Sequence, residues 1–306
     1  MATLAEKPLN EHKGMDKRRK PNLWPVFFIG PHLLLFILFF LFPSVFGIYI
    51  AFTKWDLFQS PEFVGFANFQ TILFNEESSF HGQFYNGIKN TFIFVLISVP
   101  FCIIIPLLMA TALSAKPAMN RLFQSLFYLP SLFAISAVMI VWNFLLSVTY
   151  GPLQNYFSIS TNMLDNQPHA WISLVIVTVW WTIGGNMVIY LAALNGVPKD
   201  LLEAAELDGA GVFSKFFRVT LPSIKYQILF TTVMTTIAQF NVYGQPLMLT
   251  GGGPNDSTRV LLMYIQRNAF GSGISAAGIS SAMAIMLGLC IMVVSAIQFY
   301  LLRDRD

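Results

Sequence analysis

The sequence predicts an all-α membrane protein with six transmembrane helices. Three observations carry this. Only 11% of its 306 residues are charged, against about 25% in an average soluble domain. The mean hydropathy is +0.62. Six apolar segments are each long enough, at about 20 residues, to cross a bilayer as a helix. Thirty Phe and thirteen Met add to the apolar load. The runs are too long for membrane strands and show no alternation of apolar with polar residues.

The segments are 24–52, 88–113, 122–146, 171–194, 228–249 and 278–302. The first carries Pro31 and Pro43 and is expected to be kinked or tilted. It follows a basic leader, "KGMDKRRK". Its apolar run far exceeds the roughly 7–15 residues of a signal-peptide core, and no A-x-A site follows, so a retained helix is expected.

Lysine and arginine set the orientation. With a cytoplasmic N-terminus, the inside holds Lys7, Lys13, Lys17, Arg18, Arg19, Lys20, Lys116, Arg121, Lys199, Lys215, Arg218, Lys225, Arg303 and Arg305. The outside holds Lys54, Lys89, Arg259 and Arg267. Both termini are therefore expected inside, in a multi-pass protein of the plasma membrane. The net charge of +3 follows from this topology and calls for no nucleic-acid partner. The leader can touch anionic lipid.

Catalytic and metal chemistry find no footing. There is no G-x-x-x-x-G-K-[ST] loop to cradle a nucleotide and no H-E-x-x-H. His12, His32, His81 and His169 have no partner at ligand spacing. Ser272, in "GSG", has no nearby histidine. Cys102 and Cys290 both lie in apolar segments, which indicates neither a disulfide nor a metal site.

One stretch breaks the apolar pattern: "EAAELDGAGVFSKFFRVTLP", residues 203–222. Pro198 ends the fourth span and suits a new helix start. Asp200 and Glu203, three apart, have the spacing of a capping box. Leu201, Leu202, Ala204, Ala205 and Leu207 supply a short apolar surface, and Gly209 and Gly211 end it. Phe213, Phe216 and Phe217 follow, beside Lys215 and Arg218, as an expected anchor on the membrane domain. Two short helices meeting at a glycine bend are expected beneath the membrane. Small residues there let another protein's surface approach closely.

Polar residues inside spans mark pathways or helix packing. Thr178, Trp181 and Gly185 share one face of the fourth span, with Thr182, Asn186 and Tyr190 as a stripe beside it. Thr232, Thr235, Thr236, Gln239 and Tyr243 share one face of the fifth. Aromatic faces suit the CH surfaces of a sugar, and amides and hydroxyls suit its OH groups. Packing is the simpler reading for the Gly and Thr positions; Trp181, Asn186, Tyr190 and Gln239 favour a pathway. No Asp, Glu, Lys or Arg lies deep in a span, which disfavours proton coupling and a fixed-charge solute.

The string Glu203-Ala204-Ala205, Gly209, Val219, Leu221-Pro222 resembles the EAA signature of ATP-binding-cassette (ABC) importer permeases. Every spacing matches, and Val219 stands where Ile is commoner. "LTGGGPNDST" (249–258), "FVGFANFQTIL" and the Pro31/Pro43 pattern around "LFILFFLF" are similar to the carbohydrate branch, which includes the maltose and glycerol-phosphate systems. Together these cover most of the chain.

The resemblance implies a type I importer fold. After a tail (1–23) and a first helix (24–52), residues 86–303 would form a five-helix methionine-permease-like core with the coupling loop 198–222. Docking residues would be Glu203, Ala204, Ala205, Asp208, Gly209, Phe213, Leu221 and Pro222. The sugar pathway would pass Thr178, Trp181, Gly185, Thr235 and Gln239. It further implies a different second permease, two ATPase subunits that bind ATP and Mg, no cofactor on this chain, and a solute-binding protein meeting residues 148–170 and 250–277.

Overall fold

The computed structural model describes residues 24–149, 151–152, 156, 162–271 and 276–302. The tail 1–23, Ser272, Arg303 and Arg305 lie outside the described residues, as do parts of 148–170 and 250–277. The chain divides into two units, 1–47 and 48–306.

Helix α1 (Trp24–Phe36) passes through a π-helical turn, Ile37–Leu41, into α2 (Phe42–Ala51), whose last residues belong to the second unit. Phe27–Ala51 forms one span of 25 residues. Pro43 has no N–H for the carbonyl four residues back, and the wide turn sits just before it. Ser44 Oγ donates to the Phe40 carbonyl at 2.6 Å, stitching the same turn.

The second unit continues with a two-residue antiparallel pair, Thr53–Lys54 against Glu62–Phe63. Asn68, in α3 (Ala67–Phe74), donates to the Ala51 and Thr53 carbonyls, each at 2.8 Å, and fixes the chain's exit from the first span. Helix α4 (Ser79–Ser114) has 36 residues and so runs about 54 Å at 1.5 Å per residue. That exceeds the roughly 30 Å of hydrocarbon, so its first turns stand clear of the apolar layer. It packs along α7 (His169–Asn195) as the central pair.

Two expected spans are broken. The third consists of α5 (Asn120–Tyr128), a 3₁₀ turn (Leu129–Leu132) and α6 (Ile135–Leu146), bent by 100°. Pro130 cannot donate within a helix, and Phe133 and Ala134 are extended. The fifth stops early: α11 (Lys225–Phe240) has 16 residues and gives way at Asn241–Tyr243 to α12 (Gly244–Leu249). Pro246 removes the N–H that Val242 would need, and Gly244 lets α12 close on α6. A Cβ on Gly244 would lie 2.6 Å from Ile135 Cδ1. Among the described residues, four helices are long and apolar enough to cross a membrane, or five if the bent pair is one span. Helices α13 (Leu261–Phe270) and α14 (Ala277–Leu302) complete the unit.

Small residues make the closest approaches. A Cβ on Gly184 would lie 2.7 Å from Tyr128 Cα, and one on Gly87 would lie 2.8 Å from Leu261 Cα. Gly185, one residue on, has nothing within 4 Å. The two neighbouring glycines of α7 thus have different roles: one packs against α5 and the other leaves a surface open.

Candidate functional site

The loop between the fourth and fifth spans is built as two short helices, α8 (Lys199–Leu207) and α9 (Val212–Lys215), joined at Gly209. The expected capping box does not form. Pro198 occupies the N-cap with no side-chain cap bond. The helix starts before Asp200, which lies in its first turn and acts on the helix dipole instead.

The end of α8 is a Schellman motif. Ala210 N–H donates to the Ala205 carbonyl at 2.9 Å and Gly209 N–H to the Glu206 carbonyl at 3.0 Å. This geometry puts Gly209 at φ +76°, a region that costs a residue with a Cβ about 1–2 kcal/mol. Asp208 is the C-cap, and its N–H meets the Ala204 carbonyl at 3.0 Å. Lys215 pairs with Glu206 across the bend, a solvent-exposed pair that contributes little.

Around the bend stands an apolar surface. Leu207 is 90% exposed, Phe213 81% and Val212 78%. Glu203 and Ala204 are exposed as well, and Ala205 is half-buried. The expected phenylalanine anchor is therefore only partial. Phe213 and Phe217 point outward and Phe216 is half-buried, edge-to-face with Phe217 at 5.1 Å. Anchoring falls to Ile224, just after α10 (Leu221–Ser223), which is buried at the start of α11. A π-helical turn, Phe216–Thr220, precedes Leu221 and Pro222.

The polar groups of the fourth and fifth spans form a seam between α4, α7 and α11. Asn186 Nδ2 donates to the Cys102 carbonyl and to Thr235 Oγ1, each at 2.9 Å. Thr231 Oγ1 gives its proton to the Gln227 carbonyl at 2.9 Å, which leaves it to accept from the Tyr190 hydroxyl at 2.5 Å. Gln239 is buried, with Nε2 3.6 Å from Cys102 Sγ. Thr182 Oγ1 donates to the Thr178 carbonyl at 2.8 Å.

Tyr190 and Thr178 are fully buried. The reading of Tyr190 as a wall of the pathway is therefore corrected here: its hydroxyl is spent inside the bundle. Trp181, Asn186 and Tyr243 are half-buried and Gly185 is exposed. Trp181 Nε1 donates to the Phe133 carbonyl at 3.2 Å, a carbonyl made available by the break between α5 and α6.

A second polar cluster escaped the sequence reasoning. Asn90 Nδ2 donates to the Asp256 and Arg259 carbonyls at 2.8 and 3.0 Å. Asn86 Nδ2 reaches the Asp256 carbonyl and the Tyr264 hydroxyl, each at 3.0 Å. Gly251, Gly252, Asn255 and Asp256 all have positive φ. The "TGGGPND" loop is thus a fixed shape clamped to α4. Two asparagines four residues apart, on one face where α4 enters its apolar run, are the signal that could have found it. Among the described residues no group of three His, Cys, Asp or Glu is placed to hold a metal ion.

A helical membrane unit with an exposed, bent apolar loop between two spans has the form of a transport permease driven by a separate motor. The chain belongs to the family described as binding-protein-dependent transport system inner membrane component, whose model matches residues 71–305. It is similar to a probable permease protein for starch degradation products from Thermoanaerobacterium thermosulfurigenes, with 32% identity over 94% of this chain and 96% of the relative. It is also similar to an arabinooligosaccharide permease protein from Halalkalibacterium halodurans (30% identity; 90% and 87%) and to an sn-glycerol-3-phosphate permease protein from Pectobacterium atrosepticum (29%; 90% and 92%). The fold matches a chain of a bacterial ABC transporter that imports the acidic polysaccharide alginate, with a TM-score of 0.79 at 23% identity, covering 92% of this chain and 96% of that one. The protein is a multi-pass membrane permease subunit of an ABC importer, a system in which separate subunits hydrolyse ATP.

Proposed function

We propose that this permease carries a neutral sugar or oligosaccharide into the cytoplasm. The observation that carries the coupling half of this reading is the exposed Leu207–Val212–Phe213 surface around the Schellman bend. Apolar side chains held out on a rigid turn support a docking surface for another protein. One ATPase subunit docks at residues 199–219 and a second docks on a different, homologous permease; each holds its own ATP and Mg. Closure of the ATPase dimer draws the two loops together and switches the cavity between inward and outward access.

Both termini lie in the cytoplasm. A solute-binding protein meets the opposite face, where the clamped 250–259 loop lies. The pathway wall consists of Trp181, Gly185 and Tyr243, backed by Thr235 and Gln239. Three features support a neutral carbohydrate. No Asp, Glu, Lys or Arg occurs in 90–113, 171–194, 226–249 or 278–301. Half-exposed aromatic rings suit sugar CH faces. Two of the relatives just named take sugar oligomers or starch fragments by their names. The relative named for sn-glycerol-3-phosphate marks the rival substrate, a charged ester.

The test is a mild-detergent pull-down of the tagged chain from its own cells, with mass spectrometry of what accompanies it. Near-stoichiometric recovery of a P-loop ATPase and a second permease is expected. The co-purifying solute-binding protein is then titrated with neutral sugars and with glycerol phosphate. A chain that emerges alone and still mediates uptake overturns the coupling reading. A binding protein that takes only the phosphate ester overturns the sugar reading.

A further inference from the structure

Helix α4 contains Pro106. Proline has no N–H, so the carbonyl four residues back loses its helical partner. That carbonyl belongs to Cys102, and it lies in the apolar interior with Cys102 itself buried. An unpaired carbonyl there costs a large part of its desolvation free energy. The donor that meets it comes from another helix: Asn186 Nδ2 of α7, at 2.9 Å. The partner is a carbonyl, so the atom facing it must be the amide nitrogen. The same NH₂ group donates its second proton to Thr235 Oγ1 of α11, at 2.9 Å. One side chain therefore ties three helices together at the turn that proline has opened.

We propose that Asn186 is a positioning residue, a latch that closes the proline-broken turn of α4 onto α7 and α11, and not a hydrogen-bond donor to the transported solute. Both of its amide protons are committed to protein acceptors, so neither is available to a sugar hydroxyl. The latch sits one residue from Gly185, the open position of the pathway wall, and fixes how α7 presents that wall. The inference rests on the importer reading only for its transport assay. A chain that must alternate between two arrangements needs its helices held in register in each. A hydrogen bond to a freed carbonyl holds the turn without locking it, because interhelical bonds in membranes average about 0.6 and reach about 1.7 kcal/mol.

The distinguishing feature is Pro106. Restoring an N–H there gives the Cys102 carbonyl its own helical donor and makes the bond from Asn186 to that carbonyl redundant. The test uses the intact importer with Asn186→Ala, Pro106→Ala and the double variant. Asn186→Ala alone is expected to lower uptake about 3- to 18-fold, the range those bond strengths convert to, and to lower the Tm of the complex. In the Pro106→Ala background, the same substitution is expected to cost less than it does beside Pro106, with a smaller further change in Tm, because only the bond to Thr235 Oγ1 is then lost.

An equal loss in both backgrounds overturns the latch. If that loss appears as a raised KM for the solute, Asn186 is a pathway ligand; if kcat and Tm fall alike, it only fills space. Where Pro106→Ala impairs the chain by itself, Thr235→Val serves instead. It must be non-additive with Asn186→Ala, and additivity overturns the proposal. The Tm arm needs no substrate, so it separates failure of this inference from failure of the importer reading.

Discussion

Replacing Gly209 with Ala tests whether the conformation of the loop or the space around it matters. Gly209 has φ +76° and no atom within 4 Å of a Cβ built there. A methyl group therefore meets no clash within this chain, and its whole cost is the left-handed backbone, about 1–2 kcal/mol. That corresponds to a roughly 5- to 30-fold smaller population of the bent conformer. Uptake and binding-protein-stimulated ATPase activity in proteoliposomes should fall by up to that factor at unchanged permease abundance. Gly209→Asn should recover most of the loss, because Asn visits the left-handed region readily. Wild-type activity in Gly209→Ala refutes the claim that the Schellman bend positions the docking face. If Asn does no better than Ala, closeness of approach by the partner decides, and the conformational reasoning is wrong.

Phe213→Asp and Leu207→Asp place a charge on a surface that no part of the described chain covers, so membrane insertion and abundance should be normal while co-purification of the ATPase falls about tenfold or more. Retained co-purification would move the docking site elsewhere. Asn90→Ala takes the Asn90 donor from the Arg259 carbonyl and leaves Asn86 as the side-chain donor to the Asp256 carbonyl. Hydrogen exchange and protease cleavage at 250–259 should rise several-fold, with the spans unchanged, and an unaltered loop would show the clamp to be incidental. Gly184→Ala forces a methyl to within 2.7 Å of the Tyr128 backbone and should destabilise by about 1–3 kcal/mol. Gly185→Ala should leave the thermal midpoint unchanged and alter only transport. Equal Tm shifts for the two would refute the assignment of separate roles to the adjacent glycines.

Much of the local structure of the 198–222 loop was legible in the sequence because its constraints are local. A glycine is needed wherever a helix ends left-handed, and Gly209 sits at that position. Pro198 marks the helix start, although Asp200 turned out to lie inside the helix and not at its cap. The packing of the polar faces of the fourth and fifth spans was less legible. Spacing puts Thr178, Trp181 and Gly185 on one face, but it does not say which of them another helix covers. Tyr190 was read as a wall residue; Thr231, on another helix, takes its hydroxyl. The phenylalanines were read as an anchor on the membrane domain. Here Phe213 stays out, and Ile224 holds the loop.

Composition and segment length determined the class: so few charges and such long apolar runs leave the chain no stable state outside a bilayer. Local backbone rules determined the bend at Gly209. Only the tertiary structure decided that the third and fifth spans are broken. Pro130 and Pro246 were visible as residues, but a proline in an apolar run can kink a helix or end it. Pro100 lies inside α4 and Pro31 inside α1, and both helices continue. At Pro106 the amide of Asn186 meets the freed carbonyl, and α4 continues. After Pro130 the chain turns by 100°, and the Phe133 carbonyl finds Trp181 instead. Hydrogen-bond donors supplied by a different helix are a property of packing, which no single segment of sequence contains.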